Sequence, residues 1–189
     1  MLILLIGLIL FLGIHSVSIF APNQRNALAK KNALLWKAIY SAISLLGLLL
    51  VISGYADARH STSIIYATPY WLRHLSALLL LPVFILFFSP YFPGKIKRLA
   101  KHPQLLAVKL WAVSHLLVNG TLADTILFGS FLIWAICNWI SMSKREARPV
   151  PSLPQKSVND ILVVAIGLVA YVIFALHLHK VLIGVPPFA

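Results

Sequence analysis

The sequence predicts an all-helical bundle embedded in a lipid bilayer, with about six transmembrane helices. Of the 189 residues, 60% are hydrophobic and only 11% are charged, whereas soluble domains have about 45–50% apolar and about 25% charged residues. The mean hydropathy is +0.92. Several apolar runs approach the roughly 20 residues that a helix needs to cross a bilayer. We expect these runs to form one transmembrane domain over residues 1–189.

The first three predicted spans end at clear helix breakers. Residues 1–20 form the first span, which lacks the basic start of a signal peptide and is stopped by Ala21-Pro22. Residues 34–54 form the second. The third covers residues 70–88, with Tyr70-Trp71 at its start, where an aromatic belt would lie. We expect Pro82 to kink this third span.

Three further apolar runs complete the predicted bundle, at residues 104–118, 122–140 and 158–178. The fourth run is short for a crossing. The break at Asn119-Gly120 separates it from the fifth and predicts a tight hairpin between two packed helices. The tail after residue 178 ends in Gly-Val-Pro-Pro at positions 184–187, a sequence that cannot be helical.

Basic residues are distributed unevenly among the connections. The second and fourth connections contain only Arg59, whereas the first, third and fifth contain eleven, namely Arg25, Lys30, Lys31, Lys95, Lys97, Arg98, Lys101, Lys144, Arg145, Arg148 and Lys156. The positive-inside rule then places the three odd connections in the cytoplasm and both termini outside it. Topology also explains most of the net charge of +12. We therefore expect the lipid bilayer, and not nucleic acid, as partner.

The residue inventory argues against several kinds of catalytic site. The four acidic residues, Asp57, Asp124, Glu146 and Asp160, are too scattered for paired carboxylates, and there is no glycine-rich phosphate loop. The single cysteine, Cys137, rules out a disulfide framework or a cysteine metal cluster. Hydrolase and phosphotransferase chemistry is therefore not expected.

Histidine is the one abundant reactive side chain, and four histidines fall within or near predicted spans: His15, His74, His115 and His177. An ionisable group inside a bilayer is by default a functional candidate. Imidazole suits iron, zinc and copper. With no cysteine or carboxylate partner in the membrane, haem held by two histidines is the simplest metal centre, while hydrogen bonding could instead satisfy these rings.

The predicted functional site centres on the stretch from residue 101 to residue 129. Trp111, His115 and Asn119 are spaced by four residues and therefore share one helix face. We expect this face to point into the bundle and Lys109 to reach the cytoplasmic headgroups. Near the outer ends of the third and fifth spans we expect Arg73 and Asp124 to form an ion pair or to share a polar cavity, unless Arg73 extends alone to the headgroups.

Long segments resemble the NnrU family of membrane proteins over about residues 7–188: GLILFLGIHSVSIFAPNQR, SLLGLLLVISGYADAR, KHPQLLAVKLWAVSHLLVNGTLADTILFGSFLIWA and HKVLIGVPPF. The resemblance implies a bacterial inner (plasma) membrane protein linked to nitrogen-oxide respiration (denitrification). The chain is also similar to the 15-cis-zeta-carotene isomerases, which are membrane haem b enzymes. That similarity implies His15, in a His-Ser motif, and His115, thirteen residues after His102, as the metal ligands. His74 is a loose counterpart of a third histidine.

Predicted depth favours other partners for His115. His15 lies near the cytoplasmic end of its helix and His115 near the outer end of its own, a difference of roughly 10–15 Å. His74 and His177 lie near the outer face and match His115 better. The predicted cofactor site is therefore His15, His115, His74, His177, Trp111 and Asn119.

Three alternatives stay open at this point. Lys101-His102-Pro103-Gln104 resembles the Arg-His-Pro motif of isoprenylcysteine carboxyl methyltransferases, which bind S-adenosylmethionine, but the acidic pair of those enzymes is missing here. The chain could also be a membrane isomerase of a carotenoid-like lipid. A third alternative is a non-catalytic accessory factor for membrane redox proteins.

Overall fold

The computed structural model describes residues 1–145 and 150–187, and over these residues the regular secondary structure is helical. The helices are α1 (Leu2–Phe20), α2 (Pro22–Lys31), α3 (Ala33–Ala58), α4 (Leu72–Phe88), α5 (Lys95–Ala100), α6 (Pro103–Leu116), α7 (Leu122–Met142), α8 (Val158–Ile173) and α9 (His179–Ile183). A short 3₁₀ turn follows α4, and one π-helical turn, Phe174–Leu178, joins α8 to α9. Glu146 and Arg148 lie outside the described residues.

Five of the described helical segments are long and apolar enough to cross a membrane: Leu2–Phe20, Ala33–Ala58, Leu72–Tyr91, Leu122–Met142 and Val158–Ile183. The predicted all-helical membrane fold is confirmed. The fourth predicted span is the 14-residue helix α6, which is about 21 Å long. Helix α6 packs between α4 and α7, so it completes the bundle although it is shorter than the other spans.

Successive long helices along the chain run in opposite directions. In space, the helices pack in the order α3, α1, α7, α6, α4, α8. The antiparallel pairing brings the connections 21–32, 89–102 and 143–157 to one end of the bundle, called here the basic end. The other end holds the loop 59–71, the turn 117–121 and the C-terminal residues 184–187, and is called the tail end. Helices α2 and α5 occupy two of the basic connections.

Helices α1 and α3 approach each other closely because glycines lie on their facing surfaces. A Cβ added at Gly7 would lie 2.5 Å from the backbone nitrogen of Val51, and one at Gly47 would lie 2.6 Å from the backbone nitrogen of Phe11. Small residues allow this contact between helix backbones, which dispersion forces stabilise in the absence of a hydrophobic effect within lipid. The α1–α3 pair is therefore a tightly packed unit.

The loop 59–71 covers the turn between α6 and α7. The N–H groups of Ile65 and Tyr66 donate to the carbonyl of Gly120 at 2.7 and 3.1 Å, and the Leu122 N–H donates to the carbonyl of Ser63 at 2.9 Å. The Tyr66 hydroxyl donates to the carbonyls of Leu116 and Asn119. These bonds satisfy backbone groups at the end of α6 that the helix leaves without partners.

Asp124 is held by residues of α3 and of the turn before α7. Its carboxylate accepts hydrogen bonds from the Tyr55 hydroxyl at 2.6 Å and from the N–H and hydroxyl of Thr121 at 3.0 and 2.6 Å. Thr121 and Asp124 form a capping box at the start of α7. Arg73 lies over the ring of Tyr70, with 4.9 Å between its guanidinium carbon and the ring centre. The predicted relation between Arg73 and Asp124 stays a prediction.

The last span continues beyond its predicted end. The π-helical turn and α9 extend it to Ile183, and Gly184, with φ +77°, ends it in the left-handed conformation. The run from residue 158 to residue 183 contains no proline and only one glycine, so nothing in it stops a helix earlier. Gly184 serves as the C-terminal cap that a helix commonly has.

Candidate functional site

A cavity of about 610 Å³ lies between α4, α6, α8 and α9, towards the tail end. This volume is in the range of cofactor and small-molecule sites. Its wall includes Arg73, Ser76, Leu80, Val83, Phe84, Phe87, Trp111, His115, Asn119, Tyr171, Phe174, His179, Val185, Pro186 and Pro187. Four helices and the folded-back C-terminal residues therefore line it.

Two histidines of different helices face each other at this cavity. The ring centres of His115, in α6, and His179, in α9, are 6.4 Å apart, and their ring planes are within 16° of parallel. Phe128 stacks on His115 with 4.5 Å between ring centres, and Trp111 lies 5.3 Å from it. Phe174 lies 5.9 Å from His179. Aromatic contacts thus support both imidazoles.

Both imidazoles are fixed through the same ring nitrogen. The Nδ1 of His115 bonds to the carbonyl of Trp111 at 2.8 Å, and the Nδ1 of His179 bonds to the carbonyl of Val185 at 2.5 Å. A carbonyl only accepts, so Nδ1 carries the proton and Nε2 keeps a free lone pair. This tautomer, held by a backbone carbonyl, is the usual state of a histidine that binds a metal through Nε2.

The π-helical turn brings His179 to the cavity. Tyr171, Phe174 and Ala175 already face the cavity from the end of α8 and the π turn. An unbroken α-helix would place Leu178, seven residues after Tyr171, on the same face. Because the π turn contains one residue more than an α-helical turn, His179 occupies this position on the cavity face. Such turns occur frequently at functional sites.

The C-terminal residues close the tail end of the cavity. Gly184 reverses the chain, so Val185, Pro186 and Pro187 line the cavity beside His179. The guanidinium of Arg59 donates from Nη1 to the carbonyl of Ile183 at 2.6 Å. Arg59, directly after α3, therefore holds the C-terminal segment in place. That segment bonds to the ring of His179 through the Val185 carbonyl.

The cavity is polar at the tail end and apolar towards the basic end. Its polar groups at the tail end include Arg73 and Asn119, whose amide donates to the carbonyl of His115 at 3.0 Å. Ser76, beside them on α4, donates to the carbonyl of Ser114 at 2.8 Å. Towards the basic end the wall of α4 consists of Leu80, Val83, Phe84 and Phe87. The site therefore suits an amphipathic ligand.

The sequence model of the family described as NnrU protein matches residues 3–187 of this chain. The chain belongs to the NnrU family. Neither the curated proteins nor the solved structures contain a match to it. The similarity to zeta-carotene isomerases stays a prediction.

In this NnrU protein the predicted inward face of α6 lies at the cavity. Trp111, His115 and Asn119 all line the cavity. Lys109 points away from it and lies over the ring of Trp139, with its Nζ 3.6 Å from the ring centre. This part of the predicted site depends only on the 3.6-residue helical period, which tertiary packing leaves unchanged.

His15 occupies a separate environment in the NnrU protein. Its Nδ1 bonds to the carbonyl of Phe11 at 2.6 Å, so its Nε2 is also free of a proton. The ring centres of Phe11, Tyr40 and Trp134 lie 4.3, 5.1 and 5.9 Å away. The structure therefore does not bring His15 and His115 together at the cavity.

The other two predicted candidates face outwards from the bundle. His74, whose ring lies 6.0 Å from that of Tyr70, and His177 are both exposed and do not line the cavity. Sequence reasoning missed His179 because it assigned this residue to a non-helical tail. The available signal was the absence of a helix breaker between residues 178 and 184.

Proposed function

We propose that this NnrU-family chain is an integral membrane haem b protein in which His115 and His179 would hold the iron. The observation that carries the proposal is the closeness of these two side chains. Two near-parallel imidazoles, each with Nδ1 bonded to a carbonyl, have ring centres 6.4 Å apart at the wall of the cavity.

The separation of the two rings fits a metal ion between them. Metal–nitrogen bonds in proteins are about 2 Å long, and a ring nitrogen lies roughly 1 Å from its ring centre, so two ligands in line have centres about 6 Å apart. Histidine is a common ligand of haem iron, and His115 and His179 would hold it here. The residues present therefore fit a haem.

The two ends of the cavity match the two ends of a haem. Arg73 and Asn119 at the tail end can bind the propionate carboxylates, for which a guanidinium is a strong partner. Leu80, Val83 and Phe84 offer an apolar wall for the macrocycle. Residues 185–187 form the wall of the cavity at the tail end.

When bound between two histidines, haem iron supplies one-electron transfer. The chain contributes fixed geometry: the carbonyls of Trp111 and Val185 keep each proton on Nδ1 and each lone pair on Nε2. This hydrogen bonding increases the basicity of both ligands.

The proposal uses His179 where the resemblance to the isomerases implied His15. His115 keeps its predicted role. His15 is separated from it by a chain of aromatic rings, in which Phe11 contacts Phe131 at 5.7 Å and Phe131 contacts Trp111 at 5.3 Å. The π turn and the reversed C-terminal segment supply the second ligand instead.

The proposed cellular role is in nitrogen-oxide metabolism, at the bacterial inner membrane and in contact with membrane redox proteins. The family assignment supports this role. The eleven basic residues of the odd connections support an orientation with the basic end in the cytoplasm and both termini outside. The haem would then lie close to the outer face of the membrane.

A second candidate function is isomerisation of a linear lipid, and the shape of the cavity favours it. On α4 the cavity wall runs from Ser76 to Phe87, a distance of about 16 Å along the helix axis. The half towards the basic end is apolar and would accommodate a hydrocarbon chain. This candidate predicts that a carotenoid-like lipid copurifies with the protein.

Absorption spectra of the purified protein test the haem proposal. The chain is expressed with a haem precursor, purified in a mild detergent, and measured oxidised and after reduction with dithionite. We expect a low-spin Soret band in the wild type, lost or shifted in His115→Ala and in His179→Ala. His177→Ala, two residues from His179 but facing outwards, is the matched control and should leave the spectrum unchanged.

The same series distinguishes the two ligand sets. A colourless wild-type protein that is fully folded would refute the haem proposal. A spectrum that changes with His15→Ala and not with His179→Ala would keep the haem and restore His15 as the ligand implied by resemblance.

A further inference from the structure

The basic segment at the start of α6 takes no part in the cavity. Lys101, directly before His102-Pro103, has φ +54°. A side chain with a Cβ rarely adopts this region, and such residues occur at ligand-binding segments when the surroundings hold them in place. The segment lies at the basic end, remote from His115.

His102 and Lys109 both contact Trp139 of α7. The ring centre of His102 is 5.2 Å from that of Trp139 in an edge-on arrangement, and the Nζ of Lys109 is 3.6 Å from the ring centre. The backbone of Lys109 lies about 9 Å from Pro103 along the axis of α6. The indole attracts the ammonium group and guides it towards the basic end.

Arg145 approaches the same region from the end of α7. Its Nη2 donates to the Oδ1 of Asn138 at 2.8 Å, and its Nη1 donates to the carbonyl of Ser18 at the end of α1. Burial and the positive charge of Arg25 lower the pKa of Arg145. The guanidinium is therefore held against α1 and α7 by two hydrogen bonds while a second arginine lies nearby.

The basic residues of this region are called here the cation cluster: Arg25, Lys101, Lys109 and Arg145, with His102 among them. Burial, followed by the positive charges of Lys101, Arg145 and Lys109, lowers the pKa of His102 and so favours its neutral ring. Like charges gathered at one end of the bundle repel, and the repulsion grows where the surroundings exclude water.

The described acidic side chains lie elsewhere. Asp57 and Asp124 are at the tail end, and Asp160 accepts the N–H groups of Lys95 and Ile96 at 2.8 and 3.0 Å. Glu146 lies outside the described residues. Among residues 1–145 and 150–187, no carboxylate is recorded as a partner of the cation cluster. An anion bound from outside the chain would offset the repulsion.

We propose that the cation cluster binds a phosphate group, either the headgroup of an anionic phospholipid or a soluble phosphate anion. Basic pockets between helices at the cytoplasmic side of membrane proteins bind such headgroups. Trp139 contacts both His102 and Lys109 near the basic end of α7, and aromatic side chains are enriched where helices meet lipid headgroups. This inference does not depend on the haem.

Thermal unfolding of the full chain in a neutral detergent tests the phosphate site. Three probes are titrated: short-chain phosphatidylglycerol, short-chain phosphatidylcholine and inorganic phosphate. A bound ligand raises the unfolding midpoint with its concentration and so yields an affinity. We expect phosphatidylglycerol or phosphate to raise the midpoint more than phosphatidylcholine, which has a phosphate but no net charge. Stabilisation by phosphatidylglycerol alone identifies a lipid site, and equal stabilisation by phosphate identifies a soluble anion.

Two variants and a matched control localise the site. We expect the affinity to fall about fivefold for each cation removed, so about fivefold in Lys109→Gln and about 25-fold in the double variant Lys109→Gln/Arg145→Gln. Lys31→Gln removes an exposed charge of α2 outside the cluster and should change the affinity less than twofold. Should the double variant not fold, Lys109→Gln alone has the same fivefold expectation.

Two results would overturn this inference. One is an equal response of the wild-type midpoint to all three probes. The other is a loss of affinity in Lys31→Gln as large as that in Lys109→Gln, because that would indicate general attraction to a basic surface and no defined site.

Discussion

The two halves of the bundle consist of similar apolar helices but pack differently, since one half is in close backbone contact and the other contains a cavity. In one half, glycines at positions 7, 47 and 54 bring α1 and α3 into backbone contact. In the other half, α4, α6, α8 and α9 present larger side chains and two histidines, and they line a cavity of about 610 Å³. Lipid gives helices no hydrophobic reason to associate, so the shape of the facing side chains decides between close contact and an internal space.

The largest expected effect is in the tightly packed half. Gly7→Leu places a side chain where even a Cβ would lie 2.5 Å from the backbone of Val51. We expect a loss of about 3 kcal/mol or more in the free energy of unfolding. Gly13→Ala is the control, because a Cβ at Gly13, on the same helix, meets nothing within 4 Å. Unfolding in detergent mixtures measures both, and equal stabilities would contradict the close packing of α1 and α3.

An intermediate effect is expected where the two halves meet. Tyr55→Phe removes the hydroxyl that α3 donates to Asp124 of α7 at 2.6 Å. A hydrogen bond to a charged group contributes about 1.5–3 kcal/mol, against about 0.5–1.5 kcal/mol for a neutral acceptor. Tyr171→Phe is the matched comparison, because the Tyr171 hydroxyl donates to the neutral carbonyl of Ala77 at 3.2 Å.

The free energy of unfolding should therefore fall further in Tyr55→Phe than in Tyr171→Phe. The reverse order would mean that Asp124 finds another hydrogen-bond donor when the Tyr55 hydroxyl is removed.

The smallest effect on stability is expected in the half with the cavity. Ala175→Phe adds a ring to the cavity wall, where space already exists. We expect the free energy of unfolding to change by less than about 1 kcal/mol, since no packed atoms are displaced. Haem uptake, measured by the Soret absorbance, should nevertheless be lost. A large destabilisation would show that the cavity is narrower than the structure has it, and full haem uptake would place the haem elsewhere.

Much of the fold follows from the sequence because a bilayer restricts the chain so strongly. Within lipid every backbone group must bond internally, so each apolar run of sufficient length becomes a helix. Residues 1–20 and 122–140 were predicted almost to the residue, as Leu2–Phe20 and Leu122–Met142. The common face of Trp111, His115 and Asn119 was predictable for the same reason, because it depends on one helix alone.

The partner of His115 could not be predicted from helix spans and depth. Both His74 and His177 lie at a suitable level, yet they face outwards from the bundle. The rotation of a helix about its own axis depends on its neighbours, and here Gly167 of α8 packs against Ile85 of α4. A Cβ at Gly167 would lie 2.5 Å from the Ile85 side chain, so this contact sets how the end of α8 is turned.

The sequence by itself determined the lipid environment, the helical spans, the unequal charge of the two ends and the inward face of α6. Each of these depends on composition or on the period of a single helix. Only the tertiary structure decided that His179 faces His115, because this requires the π turn, the reversal at Gly184 and the bond from Arg59 to Ile183 together. These contacts join residues far apart in the chain, and no local pattern encodes their meeting.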